Sequence, residues 1–188
     1  MINLLYKLKK LTNHTKISIS ATLIGVSNIY IGSNCRIGPY CYLKSEDLDG
    51  ELHIGNDVVI NRYSHISAKG SRVEIKNFSY VGYNNWIGGR GNITIGQNFI
   101  SGMNIVIISS NHDYYNIIVP YYMGEEVSKD ISIGDNVWIG ANSVVLPGVS
   151  IGAGSVIGAG SIVTQDIPPN VFAAGNPAKV INQIQRKM

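Results

Sequence analysis

Aliphatic residues recur every six positions through most of this chain, a period that fits neither an α-helix nor a lone strand. Ile133, Ile139, Val145, Ile151, Ile157 and Val163 follow one another at that spacing without interruption. The same phase runs through Ile31, Ile37 and Leu43, then Ile54, Ile60 and Ile66, then Ile75, Val81 and Ile87. It returns at Ile95 and Ile107, with Ser101 standing where an aliphatic is expected. Six divides by two, so in extended chain the residue two before each aliphatic shares its face. Those positions hold Cys35, Val137, Ser143, Ser155 and Ser161, mostly small, as a tight interior corner requires. The Gly or Asn that follows supplies a turn where φ can be positive. Short strands and turns wound in this way make a parallel β-solenoid, with aliphatics one coil apart stacked as interior ladders.

A chain of 188 residues suits one domain with a substantial core. Low charge (14%) and 21 glycines indicate a soluble, turn-rich chain and exclude a disordered one. The net charge of +3 is mild, and its basic residues gather at the ends: Lys7, Lys9 and Lys10, then Lys179, Arg186 and Lys187. No basic stripe with interleaved aromatics crosses the middle, so no nucleic-acid partner is expected. No apolar run reaches the roughly 18–20 residues of a membrane span. The opening segment, 1–16, carries Ile2, Leu4, Leu5, Leu8 and Leu11 at helical spacing, with its lysines after its apolar residues, the reverse of a signal peptide. It reads as a short helix capping the fold, leaving open a weak association with a membrane surface, and the expected location is cytoplasmic. Cys35 and Cys41 read as core thiols, not as a disulfide.

The tandem pattern [LIV]-G-x-x-[small]-x resembles the hexapeptide repeat of left-handed β-helix acyltransferases. The run from ISIGDNVWIGANSVV to IPPNVFAAGNPAKVI is similar to the C-terminal half of the galactoside and maltose O-acetyltransferases. The resemblance spans about residues 17–181. It implies an all-β, left-handed parallel β-helix at 17–167 with three hexads per coil, followed by a coenzyme-binding tail at 168–188. It further implies a homotrimer with active sites between subunits.

The period breaks at KSEDLDGELH, near Lys69–Glu74, at Gly88–Asn92 and, most widely, at 108–130. Insertions in a solenoid mark loops, and loops carry function. The widest holds His112 and four of the eleven tyrosines, Tyr114, Tyr115, Tyr121 and Tyr122. His112 opens it directly after a strand, where the resemblance places a catalytic histidine. An imidazole there can take a hydroxyl proton near neutral pH if its second nitrogen donates to a carbonyl or carboxylate. Asp113 is a candidate for that carboxylate or for an acceptor contact. His53 and His65 precede inward aliphatics and so fall on the outward phase. No zinc-type histidine triplet is present in the sequence, and no metal is expected.

The resemblance assigns acetyl-CoA as acyl donor. It places Trp138 beside the pantetheine channel and the Ala141 N–H at the thioester oxygen. Ala159, Gly160 and Thr164 fall where small residues let the pantetheine lie along the coil. Asn176, Pro177 and Ala178 border the adenine, and Lys179 stands near the 3′-phosphate. The chain departs from its relatives at Gln165 and Asn182, with Arg186 and Lys187 as alternative cations. On the acceptor side, Asn84 and Asn85 are equally eligible sugar contacts, a turn role being the plain alternative. The implied reaction is direct acetyl transfer without an acyl-enzyme. The stretch before the repeat is shorter than in the maltose and galactoside enzymes, which shifts the expected acceptor to a bacterial surface-polysaccharide sugar. A nucleotide-linked amino sugar, an antibiotic hydroxyl and a non-catalytic scaffold are the alternatives.

Overall fold

The computed structural model describes residues 14–47, 49–115, 119–120 and 123–185. The expected N-terminal helix, Tyr121, Tyr122, Arg186 and Lys187 lie outside them.

Three sheets of nine, seven and six strands, parallel except for the last strand of the first, wrap the chain into a triangular solenoid. Each hexad of the sequence supplies one strand of one face. The first face stacks Ile17, Ile37, Ile60, Val81, Ser101, Ile139, Ile157 and Ala173. The second stacks Leu23, Leu43, Ile66, Ile87, Ile107, Val145 and Val163. The third stacks Ile31, Ile54, Ile75, Ile95, Ile133 and Ile151. Almost every one of these side chains is buried, at about 1.5–3 kcal/mol for a full-sized aliphatic. The coil-to-coil hydrogen bonds run along the same axis, as in Gly55 N–H to Ile75 C=O at 2.8 Å and Gly96 N–H to Ile133 C=O at 2.8 Å.

The residues two before the aliphatics point inward as the period requires, and Cys35, Val137, Ser143, Ser155 and Ser161 are buried. Cys35 and Cys41 are free thiols whose Sγ atoms each lie 3.0 Å from a carbonyl, of Gly55 and Asn61 respectively. Burial raises both thiol pKa values, which keeps them protonated. Positive φ recurs at the turns, at Asn34, Asn98 and Asn136 on one corner and at Asn84, Asn104 and Asn142 on another. The latter three also form a ladder, with Asn84 Nδ2 donating to Asn104 Oδ1 at 2.9 Å and Asn104 Nδ2 to Asn142 Oδ1 at 3.1 Å. Corner turns pack so closely that a Cβ on Gly140 would lie 2.5 Å from the Ala159 nitrogen.

All four breaks in the period fall on one corner, between the second and third faces. Second-face strands overrun the hexad there, at Tyr42–Glu46, His65–Lys69 and Trp86–Gly89. Beyond the last coil, Val171–Gly175 adds to the first face and turns back antiparallel into Ala178–Gln183.

Candidate active site

The longest insertion leaves the solenoid as an antiparallel hairpin of Ser110–His112 with Glu126–Ser128. Its base is tied down by Lys129 N–H donating to Ser109 C=O at 2.9 Å and by Ser109 Oγ donating to Gly91 C=O at 2.7 Å. His112 stands directly opposite Glu126. Opposed residues project to the same side of a ribbon with Cβ atoms about 4.5–5.5 Å apart. Both line a cavity of about 380 Å³, together with Glu46, His65, Ser67, Lys69 and Trp86. The His112 imidazole is exposed and makes no hydrogen bond among the described residues.

Two aromatic rings, His65 and Trp86, floor this cavity, and Tyr42 continues their stack outside it. Tyr42, His65 and Trp86 occupy one outward position in successive coils, with ring centroids 4.7 and 6.0 Å apart. Burial lowers the His65 pKa, Lys44 lowers it further, and Glu46 only partly opposes them, so its ring is neutral at neutral pH. On the wall, Glu126 Oε1 lies 3.1 Å from Lys69 Nζ and Oε2 lies 3.0 Å from Arg90 Nε. Burial disfavours the Glu126 carboxylate, but Lys69 and Arg90 outweigh it and hold its pKa below the usual range. Among the described residues no group of three His, Cys, Asp or Glu converges as a metal site.

The residues expected to meet the coenzyme gather elsewhere. Trp138 projects from the first face with 51% of its surface exposed. Ala141 turns the corner between the first and second faces, and its N–H donates to no acceptor among the described residues. Ala159 and Gly160 make the same turn one coil later, where Gly160 N–H donates to Ala141 C=O at 2.8 Å. A side chain built on Gly160 would meet nothing within 4 Å, so the corner is open. Thr164 follows on the exposed side of the second face, and Asn176–Pro177, a cis peptide, forms the exposed tip of the terminal hairpin. Ala178 is buried, while Lys179 is exposed opposite Ala174. None of these residues lines the His112 cavity. The His112 cavity and the corner at Ala141 and Gly160 are therefore separate features of the chain.

The acceptor contacts are placed differently from expectation. Asn85 is 2% exposed and points into the coil. Its Nδ2 donates to Ser101 Oγ at 2.8 Å and Gly102 C=O at 3.0 Å, and its Oδ1 accepts from Ile105 N–H at 2.9 Å. Every polar atom of that amide is engaged, which leaves nothing to offer a sugar. Asn84 takes the turn role, at φ 53 within the asparagine ladder. Asp113 Oδ1 accepts the Tyr115 N–H at 2.8 Å, bending the chain just beyond His112. The cavity is built instead from residues the sequence reading did not single out: Trp86, Ser67, Lys69 and Glu126, with His65 set aside as merely outward. Their signal was the shared outward phase of Tyr42, His65 and Trp86 beside the stacked breaks.

A profile described as bacterial transferase hexapeptide (six repeats) matches residues 130–165. The galactoside O-acetyltransferase of Escherichia coli K12 is 45% identical over 115 residues, which are 61% of this chain and 56% of that protein. The chain thus spans about half the length of the curated relatives it matches. The crystal structure of a maltose O-acetyltransferase from Clostridium difficile 630 is 34% identical, covers 71% of this chain and 70% of its own, and superposes with a TM-score of 0.62. A galactoside acetyltransferase in complex with coenzyme A is 31% identical over 93% of this chain and 64% of its own, with a TM-score of 0.52. The solenoid is thus shared with a solved relative over most of both chains. The chain is a left-handed parallel β-helix and belongs to the hexapeptide-repeat acyltransferase family.

Proposed function

We propose that this chain is an acetyl-CoA-dependent O-acetyltransferase acting on a sugar hydroxyl in bacterial surface-polysaccharide assembly, with His112 as general base. The observation that carries this reading is the position of His112, an exposed imidazole at the edge of a cavity that combines polar groups with the aromatic floor of His65 and Trp86. Sugar rings suit such a floor, since their C–H faces pack on aromatic rings while hydroxyls reach Ser67 and the carboxylates. Lys69, the one Lys or Arg lining the cavity among the described residues, is already paired with Glu126, which favours an uncharged acceptor over a nucleotide-linked one.

The acyl donor supplies an activated thioester. Trp138, Ala159 and Gly160 line the arm of the coenzyme, and Lys179 serves its phosphate end. His112 accepts the hydroxyl proton as the acceptor oxygen bonds to the acyl carbon. The Ala141 N–H donates to the acyl oxygen as negative charge develops, a contribution of about 2.7–4 kcal/mol for one such donor. As the carbon–sulfur bond breaks, His112 returns its proton to the departing sulfur. Both cysteines are buried away from the cavity, which agrees with direct transfer. Since the two half-sites occupy different corners of one chain, the reading completes each site between neighbours of a homotrimer.

The test follows thiol release from acetyl-CoA with a panel of neutral sugars, nucleotide-linked amino sugars and antibiotic alcohols. A neutral sugar should turn over, and His112→Ala should cut kcat by about 10²–10⁴-fold. Turnover unaffected by that substitution would remove His112 as base. Preference for an amino sugar would transfer the reading to N-acetylation, and a chain that fails to bind acetyl-CoA would be a scaffold.

A further inference from the structure

Glu126 belongs to the inserted hairpin, whereas the two cations that grip it belong to the coil stack. Lys69 ends the strand His65–Lys69, and Arg90 follows Trp86–Gly89 one coil later. Arg90 also reaches Asp47, in the break one coil before Lys69, at 3.6 Å. A single chain of charges, Asp47–Arg90–Glu126–Lys69, therefore crosses all the insertions stacked on this corner.

We infer that Lys69 and Arg90, acting through Glu126, are positioning residues that fix the aim of His112 over the cavity. This rests on the reading of His112 as base. A two-stranded hairpin with three residues per strand is marginal by itself and needs an anchor. Its covalent base ties down Ser109 and Lys129, at the end away from His112. The outer end carries His112 and Glu126 side by side. Isolated exposed ion pairs contribute little to stability. Here the carboxylate is half-buried and held by both oxygens, so its effect falls on the direction of one strand and not on global stability. Catalysis is sensitive to that direction, since a misplacement of about 1 Å can cost about 10²-fold in rate.

The test compares Glu126→Gln, Lys69→Met and Lys69→Arg with the unaltered full chain, by steady-state kinetics and by amide hydrogen exchange. In Glu126→Gln and Lys69→Met, kcat should fall about tenfold or more, on the same positional argument. KM for acetyl-CoA should stay unchanged, because neither Glu126 nor Lys69 is among the residues assigned to the coenzyme. Exchange at 110–113 and 125–129 should quicken several-fold while the coil amides keep their protection, which also shows that the variants fold. Lys69→Arg should restore both kcat and protection. Unaltered hairpin exchange in Glu126→Gln and Lys69→Met would overturn the inference whatever happens to activity. A fully active His112→Ala chain would remove the base reading, while exchange would still report on the anchor itself.

Discussion

Ser101 holds a rung where an aliphatic side chain would bury more apolar surface, and the Asn85 amide occupies the vacancy with three hydrogen bonds. Phe99, fully buried on the same coil, adds bulk where the serine is small. Asn85→Ala leaves Ser101 Oγ, Gly102 C=O and Ile105 N–H without this partner, so it should lower stability by about 1–3 kcal/mol in a urea melt. A KM effect on the sugar without loss of stability would instead return Asn85 to the acceptor site. The inward position was legible in the sequence: Asn85 lies two before Ile87, and the period-two rule that buries Ser143 and Ser155 applies to it equally. The resemblance made Asn85 a candidate acceptor contact, whereas its place in the period lies inside the coil, where the structure has it. The partner amide was not legible as such, because only the folded register brings residue 85 against residue 101.

At the scale of elements, the hairpin differs from everything around it: antiparallel, local in its pairing and anchored by charge. Its anchor has a defined pH response. The Glu126 pKa is depressed in the fold, so its contribution is fully present above the ordinary Glu value of about 4.3 and is lost as pH falls through the lower folded value. Protection of the hairpin amides, corrected for intrinsic exchange rates, should therefore stay level from neutral pH to about 5 and weaken only in stronger acid. Loss of protection already near pH 6 would point to a histidine as the controlling group. The existence and place of this insertion could be read from the gap between Ile107 and Ile131. The pairing of His112 with Glu126 could not, since it depends on how many residues the loop consumes before it returns.

The molecule as a whole is a stack of coils each of which meets mainly its neighbours, and every ladder foreseen from the six-residue period is present. What a single sequence period does not encode is the relation between copies. The His112 cavity and the open corner at Ala141 and Ala159 do not meet within one chain. Mixing His112→Ala with Ala159→Trp, two variants each expected to be inactive alone, should regain part of the activity after dissociation and reassembly. On the proposed homotrimer reading, recovery is expected because some mixed interfaces would unite an intact His112 with an intact Ala159 corner. No recovery, with mixed oligomers verified by mass, would place both halves of the site on one chain. Ile93–Ile95 pairs directly with Ile131–Ile133, and Val106 and Ile107 pair with Val144 and Val145, so the ladders pass the insertion as though it were absent. Lengthening or shortening the insertion beyond its tied base resets no rung. On the proposed reading, the acceptor side could therefore change in length and composition without disturbing the corner assigned to the donor.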